Sequence, residues 1–411
     1  MNPAPLQDWL GHRTPAARRF PYDRVVDAYQ QYGKQLLPRD WMTLLQHARE
    51  RLPNVRGPQQ QLTDFLTVAL DKVDHRFDYR TYLGLCLLPI PDPDTGTDTA
   101  QRLLARRDRL HVLLLADLAA FELRALDSAS TPMSHLRPTP PVVGKRLRHA
   151  MRAASPALHR LSFPLRDVDD PLALARRLVT MTGIDRTPAE RLTLRITLLP
   201  VSTIHDEWLF LRTLQAFEVT LGLLAVDLTR AVTAVGENRL PLAGLQLTAA
   251  ASLLQETTPL WSMLATMQPQ AFHRFRVYTD GASAIQSHAF KLVESLCRTP
   301  DPPRLHSAAY LSVPDVQARI RDGQISLDDA LTAIRAGRNT LTEHPALRDG
   351  MRAFTTAMLQ WRRTHYRLAV RMLGTERAGT GGTPGTPYLL RSRDTTIFGD
   401  HDPHYATADL R

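Results

Sequence analysis

Cysteine is scarce in this chain: two residues in 411, Cys86 and Cys297. Two thiols exclude a disulfide framework and a four-cysteine zinc cage, and they fit a reducing compartment. The length corresponds to roughly two to three domain equivalents of about 150 residues each. A chain of this size buries roughly 75% of its unfolded surface and needs no covalent staples. Long hydrophobic runs are missing as well, with none approaching the roughly 20 residues that span a bilayer. The opening stretch, MNPAPLQDWLGHRTPAARRF, lacks the apolar core of a secretion signal. These absences lead to the expectation of a cytoplasmic protein with no membrane segment.

Several chemical signatures are absent too. There is no Gly-x-Ser-x-Gly elbow, no HExxH and no CxxC, so hydrolase and zinc readings have little support. The charge balance is basic, with 51 Lys+Arg against 41 Asp+Glu. The arginines are nevertheless dispersed and paired with acids, as in LARRDRLHVLLLADL, and no RNP, zinc-finger or basic-stripe pattern appears. No nucleic-acid partner is expected; an anionic ligand held inside would draw on the same residues. The stretch GTGGTPGT lacks the GK[ST] ending of a phosphate loop and follows a helix rather than a strand, so it is a poor nucleotide motif.

What is present is helix. DWMTLLQHARERL, LHVLLLADLAAFELRAL, WLFLRTLQAFEVTLGLLAVDLTRAV, GLQLTAAASLLQETTPLWSMLATM and LRDGMRAFTTAMLQWRRTHYRLAVRML repeat apolar residues at three and four. No strand–turn–strand alternation interrupts them, so the expected class is all-α. Breakers fall at 128–144, 297–307 and 378–387. The first reads as a linker between an N-terminal helical domain, 1–145, and a second domain, 146–411. A faint internal repeat supports a duplication: LCLLPIP (85–91) recurs as ITLLPVS (196–202), and VLLLADLAAFELRAL (112–126) as WLFLRTLQAFEVTLG (208–222). HDE (205–207) has three adjacent residues that cannot all face one ion from a helix, and it reads as an N-terminal capping cluster. HDPH (401–404) lies in a polar tail expected to lack fixed structure.

His365 sits in the last long helix. At helical spacing its neighbours are Met358, Trp361, Arg362, Leu368, Ala369 and Met372, an apolar stripe with one imidazole at its centre. One reading is a buried histidine satisfied by a carbonyl. The other is an axial ligand that gives one ring nitrogen to iron, with apolar walls around a haem and Arg362, Arg363, Arg367 and Arg371 near its propionates. The Gly-Thr loop that follows offers backbone N–H groups and the Thr380 hydroxyl to a carboxylate held over a flat cofactor.

QWRRTHYRLAVRMLG…GTGGTPGTPYL resembles the haem-ligand helix and mobile loop of the tryptophan 2,3-dioxygenase family, in the haem-dependent aromatic oxygenase superfamily. HDEWLFLRTLQAFEV (205–219) is similar to its first haem-pocket helix. MQPQAFHRFRVYTDGASAIQSHAFKLVE (267–294) is similar to its substrate-carboxylate segment. The three blocks occur in the family's order and cover roughly 190–300 and 350–391.

The resemblance implies a haem-binding helical bundle with haem b (iron protoporphyrin IX), O2 and an aromatic amino acid. It implies His365 as the axial iron ligand and Arg276 as the arginine that pairs with the substrate carboxylate. Thr380 and Gly381, within the 379–382 loop, would close over the substrate. Phe210 would wall the ring, Phe272 stands where some members have Tyr, and Ser283 lies beside the distal face. YRTYLGL (79–85) resembles a segment that a neighbouring subunit supplies in that family, which implies pocket roles for Tyr79, Tyr82 and Leu83. The second half has no such tyrosines in ERLTLRI, so the expectation is a homodimer or a pseudo-dimeric monomer with one working site. No protein side chain is expected to act as a base.

Two departures stand out. The family's distal histidine falls on Leu214, and its Ser-Gly is Ser283-Ala284. The relative indoleamine enzymes manage without that histidine. The implied activity is therefore a dioxygenase or monooxygenase inserting oxygen from O2 into the ring of tryptophan or a derivative, in a biosynthetic tailoring role. A hydroxylase of tyrosine or another aromatic amino acid, and a non-catalytic haem or ligand-binding protein, stay open.

Overall fold

The computed structural model describes residues 2–52, 58–94, 98–127, 131–163, 170–279, 281–335, 343–375 and 385–402. Among these the chain is helical throughout, with no strand and one isolated bridge between His135 and Ile204. The all-α expectation is met.

The central element is the helix His205–Gly236. Its first 22 residues are buried almost without exception, because it is surrounded by neighbours on all sides. The helices Ala100–Leu126 and Pro140–Arg160 pack on one side of the molecule; Leu240–Glu256 and His288–Cys297 pack on the other. It is long and apolar enough to cross a membrane by length and composition. This corrects the expectation that no run approaches that size, but 94% of its apolar window is buried inside the fold, as in a core helix. The two repeat-like segments, 112–126 and 208–222, fall on helices that pack on each other, with Trp208 stacked on Phe121 at 4.2 Å.

The HDE residues anchor this helix to three neighbours rather than capping it; the N-cap is Ile204, with no side-chain cap. His205 Nε2 lies 3.2 Å from Glu122. Asp206 accepts from Arg146 Nη2 at 2.7 Å and from the Gln268 backbone N–H at 2.7 Å. Glu207 accepts from the Val201 and Ser202 N–H groups, the Ser202 hydroxyl and, at 3.4 Å, the Tyr82 hydroxyl. The chain enters the helix from an extended segment, so the three side chains diverge into the core instead of folding back on the first turn.

The last long helix, Pro345–Leu373, crosses Leu240–Glu256 at Gly244 and Gly350, where the two backbones meet. A Cβ at either glycine would collide with the opposing main chain. Residues 6–70 form a separate apolar cluster around Trp9, Phe20, Tyr22 and Phe65, joined to the rest through Leu87, Ile196 and Leu199. Residue 145 lies inside the helix Pro140–Arg160, and one apolar cluster runs from Tyr79 to Met372. At the other end of the chain, His401 and Asp402 are buried: His401 Nδ1 lies 2.7 Å from Asp328, and Asp402 accepts from the Ile397 N–H at 2.8 Å. The tail reading of HDPH is thus corrected for these two residues, while His404 lies outside the described ones.

Candidate active site

One large cavity opens where the central and last helices converge. Its lining comes from the central helix, the last long helix and the segments 79–82, 261–294 and 385–392.

The helix Pro345–Leu373 contributes His365, Leu368, Ala369 and Met372, the stripe its periodicity defines. The His365 ring lies 5.2 Å from Trp261 at 26° and meets Trp361 edge-on at 5.5 Å. Among the described residues neither ring nitrogen has a hydrogen-bond partner, so no carbonyl of these residues satisfies it. Burial, reinforced by the Lys291 charge, lowers its pKa to about 4. The imidazole is therefore neutral at physiological pH and faces an apolar cavity, the state a haem iron requires of an axial histidine. Trp261, Trp361 and Phe217 line the cavity beside it as an apolar aromatic cluster, Trp261 edge-on to Trp361 at 5.1 Å and tilted to Phe217 at 4.6 Å, surroundings that suit an apolar tetrapyrrole.

The central helix supplies Phe210, Leu214, Phe217, Glu218 and Leu221, spaced to share one face. Phe210 packs against Phe272 at 5.8 Å, Phe275 at 5.3 Å and Tyr82 at 6.4 Å. Arg276, the last residue of Pro269–Arg276, lines the same space with Ser283 and Ala284. Tyr79 and Tyr82 also reach it, from a short helix capped by Asp78, whose side chain accepts from the Thr81 N–H at 2.8 Å. Leu83 is buried but does not line the cavity; its carbonyl accepts from Gln215 Nε2 at 2.8 Å. Thr380 and Gly381 lie outside the described residues; the loop's flanks, Leu373 and Thr386, line the mouth.

Several lining residues escaped the sequence reading. Glu218 follows Leu214 by one turn and could have been found from that spacing. It accepts from the Tyr79 hydroxyl at 3.1 Å, and burial raises its pKa to about 7, partly offset by Ser287 and Tyr79. Lys291 and Glu294, in "KLVE", gave no signal beyond an ordinary i,i+3 pair, yet both face the cavity. Of the four arginines placed near a propionate, Arg362 alone lines it. Arg363 pairs with Asp394 at 3.6 Å, and Arg367 and Arg371 are exposed. Among the described residues no group of three His, Cys, Asp or Glu could hold a metal ion.

Residues 192–306 match the family model described as tryptophan 2,3-dioxygenase. Tryptophan 2,3-dioxygenase of Burkholderia multivorans is 25% identical over 235 residues, covering 48% of this chain and 75% of the relative. Those of Paraburkholderia phytofirmans (26% over 235 residues, 48% and 76%) and Burkholderia pseudomallei (24% over 233 residues, 48% and 76%) align similarly. With the all-α architecture and the cavity at His365, these matches make the chain similar to the tryptophan 2,3-dioxygenases over about half of its length.

Proposed function

We propose that this protein inserts oxygen from O2 into the aromatic ring of tryptophan or a tryptophan derivative, in a biosynthetic tailoring role, using haem b, which His365 would hold. The observation that carries the reading is the neutral His365 ring, without a hydrogen-bond partner among the described residues, in an aromatic cavity that Arg276 also lines. When bound at His365, haem b supplies the activation of O2.

The chain's own groups do the positioning. Arg276 grips the amino-acid carboxylate through two charge-assisted bonds, worth roughly 1.5–3 kcal/mol each. Thr380 and Gly381, outside the described residues, are assigned to the zwitterion by the resemblance of the 379–382 segment. Phe210, backed by Phe272 and Phe275, lies along the ring and excludes water. Leu214 has no proton to give, and Ala284 narrows the site by a methyl beside Ser283. Both favour a dry pocket shaped for a particular ring.

The segment 1–145 acts as a degenerate repeat that completes the pocket of 146–411 through Tyr79, Tyr82 and the adjoining Leu83, so that one chain makes one site. In support, both tyrosines bond carboxylates of the central helix, Glu218 at 3.1 Å and Glu207 at 3.4 Å.

The test is to supply the haem-loaded protein and reductant with tryptophan, substituted tryptophans or tyrosine under O2, and to weigh the product. Gain of one or two oxygen atoms by an indole substrate supports the reading. Oxygen added to tyrosine alone, or no product with any of them, overturns it.

A further inference from the structure

At one end of the cavity three cations share one carboxylate. Glu294 receives Lys291 Nζ at 2.6 Å, Arg362 Nη2 at 2.8 Å and Arg304 Nη2 at 3.1 Å. The side chains of Lys291 and Arg362 are 2% and 8% exposed and that of Glu294 is 6%, whereas Arg304 is 26% exposed. The remaining contacts are with neutral groups: the Tyr388 hydroxyl 3.2 Å from Lys291 Nζ, the Thr395 carbonyl 2.9 Å from Arg362 Nη1, and the Tyr310 ring near Lys291 and Arg304. Three positive charges against one negative leave this bonded group with an excess of two. Buried cations in excess are unfavourable unless an anion faces them.

The group is placed to meet a ligand. Lys291, Glu294, Arg362 and Tyr388 line the cavity, with Arg304 behind them. Arg362 precedes His365 by one turn. Phe290, next to Lys291, stacks on Trp361 at 4.8 Å, and Trp361 in turn meets His365. The ammonium of Lys291 has three donors; Glu294 and Tyr388 take two of them. Arg362 Nε and the indole N–H of both Trp261 and Trp361 are buried donors with no partner among the described residues. The cavity is thus apolar along most of its wall and positive at the end beside His365.

We propose that Lys291, beside Arg362 and with Arg304 behind them, all three held by Glu294, receives the two propionates of the tetrapyrrole and fixes its orientation on His365. This rests on the haem reading above and adds which edge of the ligand is recognised and by what. Lys291 is the direct contact, and Glu294 is a positioning residue that keeps the three cations together. The amino-acid carboxylate is a second anion of the same chemistry, and it is assigned instead to Arg276.

The experiment titrates full-length protein, free of haem, with haem b and separately with haem dimethyl ester, which has the same ring and no anionic edge. Binding is read from the Soret band. The wild type should favour haem b by about tenfold or more, the worth of one charge-assisted bond. Lys291→Met should lose most of that preference and Lys291→Arg should keep it. Equal affinity of the wild type for the two porphyrins overturns the proposal while leaving the haem reading intact. So does a Lys291→Met protein that keeps the wild-type preference but binds tryptophan more weakly. Failure of the wild type to bind either porphyrin overturns both. Should Lys291→Met not fold, the wild-type comparison of haem b with its ester decides by itself.

Discussion

Leu214 and Glu218 stand one helical turn apart on the same cavity wall, and between them they decide where a proton can be held. Leu214 holds none. Glu218 keeps its proton to about pH 7, because burial disfavours its charged form and its neighbours Tyr79 and Ser287 are neutral. Between about 4.5, its ordinary value, and about 7, the unfolded chain releases this proton while the fold retains it. Stability therefore falls as pH rises through that window. Glu218→Gln should flatten this loss by up to about 3 kcal/mol, read as the difference between urea unfolding at pH 4.5 and at pH 7; an unchanged slope would contradict the assignment. Arg276→Lys keeps the charge but loses the fork. It should raise the KM for tryptophan about tenfold or more with a smaller effect on kcat, and an unchanged KM would remove Arg276 from the carboxylate. At this scale the place of His365 and Arg276 on the cavity wall was legible because each sits in a recognisable block. Lys291, Glu294 and Glu218 were not. In a linear sequence a charged residue reads as a solvated face, and only the packing of three separate helices shows these charges turned inward.

The helices themselves were readable from apolar spacing at three and four, and the breakers from their Pro and Gly. What the spacing did not give was how the elements are tied. Arg146, on Pro140–Arg160, bonds Glu122 at 2.8 Å and Asp206 at 2.7 Å, with all three side chains fully buried. Burial would raise the Glu122 carboxyl, but Arg146 and His205 outweigh it and hold it below its usual range. Arg146→Met leaves two buried carboxylates without their cation and should cost about 3–5 kcal/mol in chemical denaturation; a loss under about 1 kcal/mol, typical of an exposed pair, would contradict this. The HDE residues misled for a related reason. Their composition suits a cap, but the segment before them is extended, and each side chain finds a partner on a different element. At the Gly244–Gly350 crossing, Gly350→Ala should cost roughly 1–3 kcal/mol through overpacking, read from the same denaturation curves.

For the whole molecule, the question is whether one chain makes a complete site. The repeat between 112–126 and 208–222 was visible in sequence, and the structure packs those helices together. The division at 145 was drawn from a Pro-rich stretch, and a continuous helix crosses that point. Proline at the start of a helix reads the same as proline in a linker. If the first half completes the pocket, Tyr82→Ala should weaken both tryptophan affinity and turnover, and dilution of the wild type should leave turnover per chain unchanged. Intact kinetics in the variant would end the shared-pocket account. The most direct test of the central claim is the absorbance spectrum of the full-length protein produced with ample haem supply, beside that of His365→Ala. The account predicts a Soret band in the wild type that shifts when tryptophan is added, and its loss in the variant unless imidazole is supplied. A colourless wild type, or a variant with the wild-type spectrum, would contradict it.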